Sequence, residues 1–410
     1  MRVLIISLYF TPEICSDSPL MLALAEDLNG LGHEVTILTS VPHYTWGYIK
    51  EPYENNFFYI EEFDRFTVIR IWVYTTNRRN LFGRIVNYFS FFLLGTIAGI
   101  LYVKDCDVII VYSPPPTNGL LAYILSRIKR VPFIYMIQDL YPDVLVNLGI
   151  VKNKSLISFI QEIEKFYYRK AEFITVISKK FYELLLRRGV PKEKIFIIPN
   201  CVDVNLLKPL SKFNEFSIQK KLHDKFVIMY AGNIGFSQGL ETVLESASVL
   251  SDVSDIVFVI IGEGANKISL MNKAEKIGLR NIIFMPFEPE ERVPQVFSSA
   301  DIMLVTLKKG ISMNSVPAKL LSIMACGKPV IGMVDKGSDT WKIINQSKCG
   351  LTVEPGNSKA LTNVILYLYK NKNLLKEFSA NARQYAISNF SRKNMSNKYN
   401  TILKLISKHK

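Results

Sequence analysis

A chain of 410 residues is long for one hydrophobic core, and two domains of about 200 residues each are the natural expectation. The formal charge of +14, with 49% hydrophobic residues, implies attraction to a polyanion: nucleic acid, an anionic membrane face or a phosphorylated substrate. Nucleic acid ranks last, because no zinc-finger, RNA-binding or Arg-rich motif is present. Five scattered cysteines (Cys15, Cys106, Cys201, Cys326 and Cys349) form no C-x-x-C pair, which argues against a disulfide framework or a thiolate metal site.

Val3–Leu8 reads as a first strand, and its apolar run is too short for a secretory leader. The loop Tyr9–Asp17 follows, then a helix opened by Ser18-Pro19 that runs to Gly30, and a second strand over Glu34–Thr39. This is a doubly wound beginning without the G-x-G-x-x-G fingerprint, which weakens a dehydrogenase reading. His43 and Tyr44 fall past the second strand, at the carboxyl edge where ligands gather in such sheets. Phe57–Tyr59 and Thr67–Tyr74 look like additional strands. Ile85–Val103 is uncharged and long enough to span a bilayer, with Arg78, Arg79 and Arg84 before it and Lys104 after it. A crossover helix with one face dipping into the membrane is preferred over a fully buried helix or a true span, because a sheet strand at Asp107–Tyr112 follows at once. After a helix at Thr117–Arg127, the strand Phe133–Ile137 ends in Gln138-Asp139-Leu140-Tyr141-Pro142-Asp143. Asp139 either caps a helix there or faces a bound sugar.

A helix over Ser155–Lys170, a strand over Phe173–Ile177, a helix capped by Ser178 and a strand over Ile195–Ile198 complete a first domain of residues 1–204. Residues 205–224 read as a linker and 225–389 as a second domain. That domain restarts with the strand Phe226–Tyr230 and a loop holding Gly232, Asn233, Gly235, Gln238 and Gly239, which allows close approach to a diphosphate. Ile256–Ile261 runs into a second glycine turn at Gly262, and Ile282–Met285 into Pro286-Phe287. Ile302–Thr306 is a buried strand followed by a helix from about Pro317, with Asn314 and Ser315 as capping candidates. Gly327 and Pro329 end that helix before Val330–Met333, where the sheet is expected to end. A helix N-terminus at the carboxyl edge of such a sheet attracts anions, so a phosphate-bearing ligand is the first hypothesis. Two further helices, Lys359–Lys372 and Leu374–Asn389, precede a terminal segment at 390–410.

Pro317-Ala318-Lys319-Leu320 with Met324-Ala325-Cys326-Gly327-Lys328-Pro329-Val330 resembles the donor-site helix of glycosyltransferase family 4, the retaining nucleotide-sugar transferases. Gln138–Asp143 and Tyr230–Gly235 are similar to its bacterial O-antigen and capsule N-acetylfucosamine branch. The resemblance covers nearly the whole chain and implies a GT-B fold: α/β, two Rossmann-like doubly wound domains facing across a cleft, with residues 390–410 packing back on the first. It implies transfer of an N-acetylated aminosugar from a UDP donor to a polyprenyl-diphosphate-linked saccharide. That enzyme would be cytoplasmic, peripheral on the inner membrane face, free of nucleic-acid partners and independent of metal, since no Asp-x-Asp motif lies at a strand end.

Carried over by residue, Asp139 would be catalytic, and His43, Tyr44, Ser16 and Asp17 would meet the acceptor. Gly232, Asn233, Gly235, Gln238, Gly262, Pro286, Phe287, Asn314, Ser315, Pro317, Lys319 and Ser322 would meet the donor. Three departures stand out. Asn233 and Gln238 occupy positions that carry an arginine and a lysine in many relatives, leaving Lys319 as the best remaining cation. Asn314 and Ser322 replace the usual two glutamates, though a serine hydroxyl still offers a ribose hydrogen bond of about 1 kcal/mol. The first loop lacks the family's glycines. The competing readings are a nucleotide-sugar epimerase or hydrolase of the same fold, and a non-catalytic partner of another transferase.

Overall fold

β-Branched runs alternating with helical segments build two separate sheets in the computed structural model, which describes residues 1–408 apart from 14, 16, 46, 50, 55, 64, 77–79, 148–150 and 313–316. Contacts divide the chain into one unit of Met1–Asn200 with Arg392–Lys410 and another of Cys201–Ser391.

The first unit runs β1 (Arg2–Ile6), α1 (Asp17–Gly30), β2 (Glu34–Ser40), β3 (Phe58–Phe63), β4 (Phe66–Ile71), α2 (Leu81–Leu101), β5 (Val108–Ser113), α3 (Thr117–Lys129), β6 (Phe133–Ile137), α4 (Asp143–Asn147), α5 (Lys154–Lys170), β7 (Phe173–Val176), α6 (Lys179–Arg187) and β8 (Ile195–Ile197). The sheet order is β3-β4-β2-β1-β5-β6-β7-β8, parallel throughout except for the β3–β4 hairpin. Ile5 stands opposite Ile37 on one side and Ile110 on the other. β1, β5 and β6 are apolar runs because helices cover both of their faces. Strand order reverses between β1 and β5, so the crevice at their carboxyl ends is the topological place for a ligand.

The second unit runs α7 (Glu215–Gln219), β9 (Phe226–Ala231), α8 (Glu241–Val249), β10 (Ile256–Ile261), α9 (Lys267–Lys276), β11 (Ile282–Met285), α10 (Val293–Ser298), β12 (Ile302–Thr306), α11 (Ala318–Ala325), β13 (Val330–Met333), α12 (Asp339–Ser347), β14 (Gly350–Val353), α13 (Ser358–Lys370) and α14 (Lys372–Phe390). Its parallel order is β11-β10-β9-β12-β13-β14, with the reversal between β9 and β12. The sheet does not end at β13 as expected. β14 adds a parallel edge strand whose glycine and threonine dilute the apolar signal. Residues 205–224 are not a free linker either, because Phe216 and Leu222 are fully buried within this unit.

α15 (Arg392–Lys408) belongs to the first unit. Met395, Tyr399, Ile402, Leu403 and Ile406 are buried, and Arg392 pairs with Glu26 at 2.6 Å and Asp27 at 2.8 Å on α1. Tyr399 shares a 3.0 Å hydrogen bond with Thr175 of β7.

α2 starts at the N-cap Asn80, whose side chain accepts from Gly83 N at 3.0 Å. One face is built into the unit: Asn87, Phe91 and Ala98 are buried, and Gly95 and Gly99 let Leu121 and Leu125 of α3 approach closely. The other presents Phe82, Ile85, Phe89, Leu93, Ile97 and Ile100 to solvent, all at least 45% exposed. Phe82–Leu101 passes a length-and-composition test for a membrane span, yet its inner face is core.

Candidate functional site

In the first unit, the loop after β1 is braced from beneath. Arg70 of β4 is fully buried, donates to Glu61 at 2.8 Å and to the Thr11 carbonyl at 2.8 Å, and lies over the rings of Phe10 and Tyr53. Two residues on, the buried Glu13 carboxylate accepts from the backbone N–H of His43 (2.5 Å), Tyr44 (2.6 Å) and Thr45 (2.8 Å), and from the Thr45 hydroxyl at 2.6 Å. One carboxylate therefore ties the β1 loop to the turn after β2. Nothing in the sequence singled Glu13 out, since a loop glutamate ordinarily reads as solvated.

His43 is buried, and both ring nitrogens are engaged inside the protein. Nδ1–H donates to the Val41 carbonyl at 2.8 Å, while Nε2 accepts from Asn87 Nδ2 of α2 at 3.1 Å. Burial pushes its pKa down, against the opposing pull of that carbonyl bond and of Glu13. A neutral imidazole with a fixed tautomer results. Tyr44 packs on Tyr9 with ring centroids 4.6 Å apart. Tyr9, His43, Tyr44, Thr76, Arg84 and Asn87 line a pocket of about 90 Å³. Arg84 donates to the Tyr88 hydroxyl at 2.7 Å.

Asp139, just past β6, is half-buried and its carboxyl is held above the usual range, first by burial and then by the charge of Asp17 at the start of α1. The buried Tyr112 at the end of β5 hydrogen-bonds Asp17, and its phenol is pushed far up by burial and by both carboxylates. Thus Asp17 and Asp139, from opposite sides of the strand-order reversal, meet around Tyr112. Asp139 precedes α4 by four residues and is not its cap. Ser16 lies outside the described residues.

In the second unit, the two glycine turns are zipped to each other. Gly232 N donates to the Ile261 carbonyl at 2.9 Å and Ile234 N to the Glu263 carbonyl at 2.8 Å. Gly262 adopts φ +147°, and a Cβ there would fall 1.9 Å from the Gly232 carbonyl oxygen. Its glycine is thus required by backbone packing between loops, in addition to any approach by a ligand. The Asn233 side chain is exposed and Gly235 half-buried, and Gln238 Oε1 lies 3.1 Å from the Tyr230 hydroxyl. Lys308 N from the loop after β12 donates to the Ser237 carbonyl at 2.8 Å, so the loops on both sides of the second reversal touch.

Lys319 sits in the first turn of α11 with Nζ 2.7 Å from the Tyr230 hydroxyl. Burial pushes its ammonium down to about 7. No carboxylate among the described residues pairs with it. Pro317 is the N-cap rather than the first helical residue, and its ψ of 124° leads the chain into the helix from extended backbone. Ser322 lies one turn further on, half-buried. Pro286 and Phe287 after β11 are exposed, Phe287 by 55%, so this aromatic is not core. Asn314 and Ser315 lie outside the described residues. Phe236, 58% exposed on the first glycine loop, is an aromatic that the sequence pattern did not flag.

The second unit can therefore take an anion on backbone amides, a helix N-terminus and one lysine, and the first offers a carboxylate whose ionisation a neighbour tunes. Residues 19–201 match the family model described as a glycosyl transferase 4-like domain, and residues 211–385 the one described as glycosyl transferases group 1. The chain is 25% identical over 403 residues to the putative colanic acid biosynthesis glycosyl transferase WcaI of Escherichia coli K12, covering 96% of this chain and 98% of that one. Among solved structures it is similar to sucrose-phosphate synthase from Thermosynechococcus elongatus (TM-score 0.76, 16% identity, 100% of both chains). It is also similar to Alr3699/HepE of Anabaena in complex with UDP (TM-score 0.71, 15% identity, 98% of this chain and 100% of that one).

Proposed function

The chain belongs to the GT-B glycosyltransferases, and from that membership we propose that it moves an N-acetylated aminosugar such as N-acetylfucosamine from a UDP donor to a polyprenyl-diphosphate-linked saccharide, with retention at the anomeric carbon, in bacterial surface polysaccharide synthesis. The observation that carries the donor side is Lys319, a cation with no carboxylate partner among the described residues, set against the Gly232 loop at the N-terminus of α11. The UDP bound by the Anabaena neighbour and the colanic acid role in the E. coli relative's name support the nucleotide and the polysaccharide. The exposed apolar face of α2 supports a lipid-linked acceptor at the cytoplasmic membrane face.

In this mechanism the departing diphosphate develops negative charge against the glycine loop of residues 232–239, where Gly232 N, Ile234 N and Gln238 N already serve the loop itself, and against the α11 N-terminus and Lys319. Gly232, Asn233, Gly235 and Gln238 frame the diphosphate, Ser322 bonds the ribose, and Pro286 and Phe287 flank the base. Asp139 orients the acceptor hydroxyl or helps remove its proton, with burial and then Asp17 keeping its basicity above that of an isolated aspartate. Tyr44 meets the acceptor sugar, while His43 holds the turn that carries it.

Incubation with a panel of UDP-sugars and polyprenyl-diphosphate saccharides tests this reading: elongated lipid product is the expected outcome. Donor consumed without acceptor identifies an epimerase or hydrolase, and binding alone identifies a non-catalytic partner. Asp139→Asn is expected to lower turnover by about 10²–10⁴-fold while leaving donor Kd nearly unchanged. Retained turnover in that variant removes Asp139 from the mechanism.

A further inference from the structure

Tyr230, one residue before the end of β9, has its ring fully buried, and its hydroxyl donates to the Asn233 carbonyl at 2.6 Å. With the phenolic proton used there, the oxygen accepts from Lys319 Nζ at 2.7 Å. The same ammonium stands 3.8 Å from the Tyr230 ring centroid, within reach of the ring's negative face. A Cβ at Gly232 would come within 2.7 Å of Nζ, so the cation rests directly on the glycine loop.

The charged groups on the surrounding elements are occupied elsewhere. Glu263 pairs with Lys267 at 2.7 Å, Glu241 accepts from Asn266 at 2.8 Å, and Asp335 accepts from Gly310 N and the Ser312 hydroxyl. Lys308 packs on Gly239, while Lys328 and Arg383 bind the carbonyls of Ser298 and Ala325. Asn233 and Gln238 on the loop are neutral. One phenol therefore supplies both the directional bond and the ring face that locate an ammonium with no carboxylate partner among the described residues.

We propose that Tyr230 is a positioning residue that aims the Lys319 ammonium at the donor diphosphate, and that donor binding draws a proton from solvent onto Lys319. The inference rests on reading the second unit as the donor side. The lowered pKa supports it: near neutral pH the unliganded lysine is partly the free amine, and a bound diphosphate favours the ammonium.

UDP-glucose is a suitable probe, because its diphosphate diester has no group that titrates between roughly pH 6 and 8.5. Calorimetric titration across that range, in buffers of differing protonation enthalpy, gives both Kd and the number of protons taken up. For the wild type the expected result is fractional proton uptake and a Kd that rises roughly tenfold per pH unit above about 7. Lys319→Gln is expected to bind weakly with no proton uptake. Tyr230→Phe, which keeps the ring and loses the hydroxyl bridge, is expected to bind several-fold more weakly, with uptake centred at lower pH. Tight binding that is flat with pH overturns the proton coupling, and an unchanged Kd and uptake midpoint in Tyr230→Phe overturns the positioning role. Failure of the wild type to bind UDP-glucose at millimolar concentration is a different outcome, and it overturns the donor-site reading together with this one.

Discussion

Two carboxylates that come together only in the folded chain decide how Asp139 behaves. Asp17 opens α1 and Asp139 follows β6, yet burial first and then the charge of Asp17 hold the Asp139 carboxyl above its ordinary range. The sign follows directly: while Asp17 is ionised, Asp139 keeps its proton to higher pH, so the acidic limb of the rate profile lies higher than for an isolated aspartate. Asp17→Asn is expected to move that limb of kcat/KM to lower pH, read from a pH–rate profile with lipid-linked acceptor. A limb that stays in place means that Asp139 does not titrate in catalysis. Sequence position left Asp139 open between a helix cap and a sugar contact at the ligand edge, and the family resemblance turned it into the catalytic candidate. It did not reveal Glu13, whose meaning depends on a loop folding back onto residues 43–45, thirty positions away. It placed His43 at the ligand edge as an acceptor contact, whereas Asn87 and Val41 occupy both of its nitrogens.

At the scale of elements, α2 has two unlike faces. Asn87, Phe91 and Ala98 hold it to its unit, and the stripe from Phe82 to Ile100 is left to solvent. Lys129 at the end of α3 donates to the Val103 carbonyl at 2.7 Å, which brings a cation to the C-terminal end of that stripe. Such a helix fits the plane of an anionic bilayer surface rather than a span. The paired variant Phe89→Asp/Leu93→Asp is expected to abolish flotation with phosphatidylglycerol-containing vesicles and to leave UDP-glucose binding intact; continued flotation refutes docking through this face. The uncharged stretch Ile85–Val103 and a helix with one outward apolar face were expected from the sequence, and the residues that form that face became visible once the buried partners were known. The central strands were equally plain, since Val3–Ile6, Val108–Tyr112 and Ile302–Val305 within β1, β5 and β12 are unbroken apolar runs. β14 escaped because its glycine and threonine dilute the apolar run, and the short α4 because five residues carry too little helical periodicity.

At the scale of the molecule, the two matched family regions and the two contact units divide the chain at nearly the same place, close to residue 200. The last seventeen described residues nonetheless return to the first unit as α15. Removing residues 392–410 uncovers the partners of Tyr399, Leu403 and Ile406 and leaves Glu26 and Asp27 without Arg392. Amides of α1 and β7 are then expected to exchange hydrogen at least about tenfold faster, while those of β9–β13 stay unchanged. Equal acceleration in both units refutes separate stabilisation.

The backbone of Val202 pairs with that of Phe390, and a bridge joins Val202 to Ser391, so residues 201–391 begin and finish side by side. A segment whose ends adjoin is a natural cassette. Exchanging it for the corresponding stretch of a relative requires only two neighbouring splices, and the first unit keeps every strand and its closing helix. On the proposed reading of this unit as the donor side, sugar specificity would travel with the module.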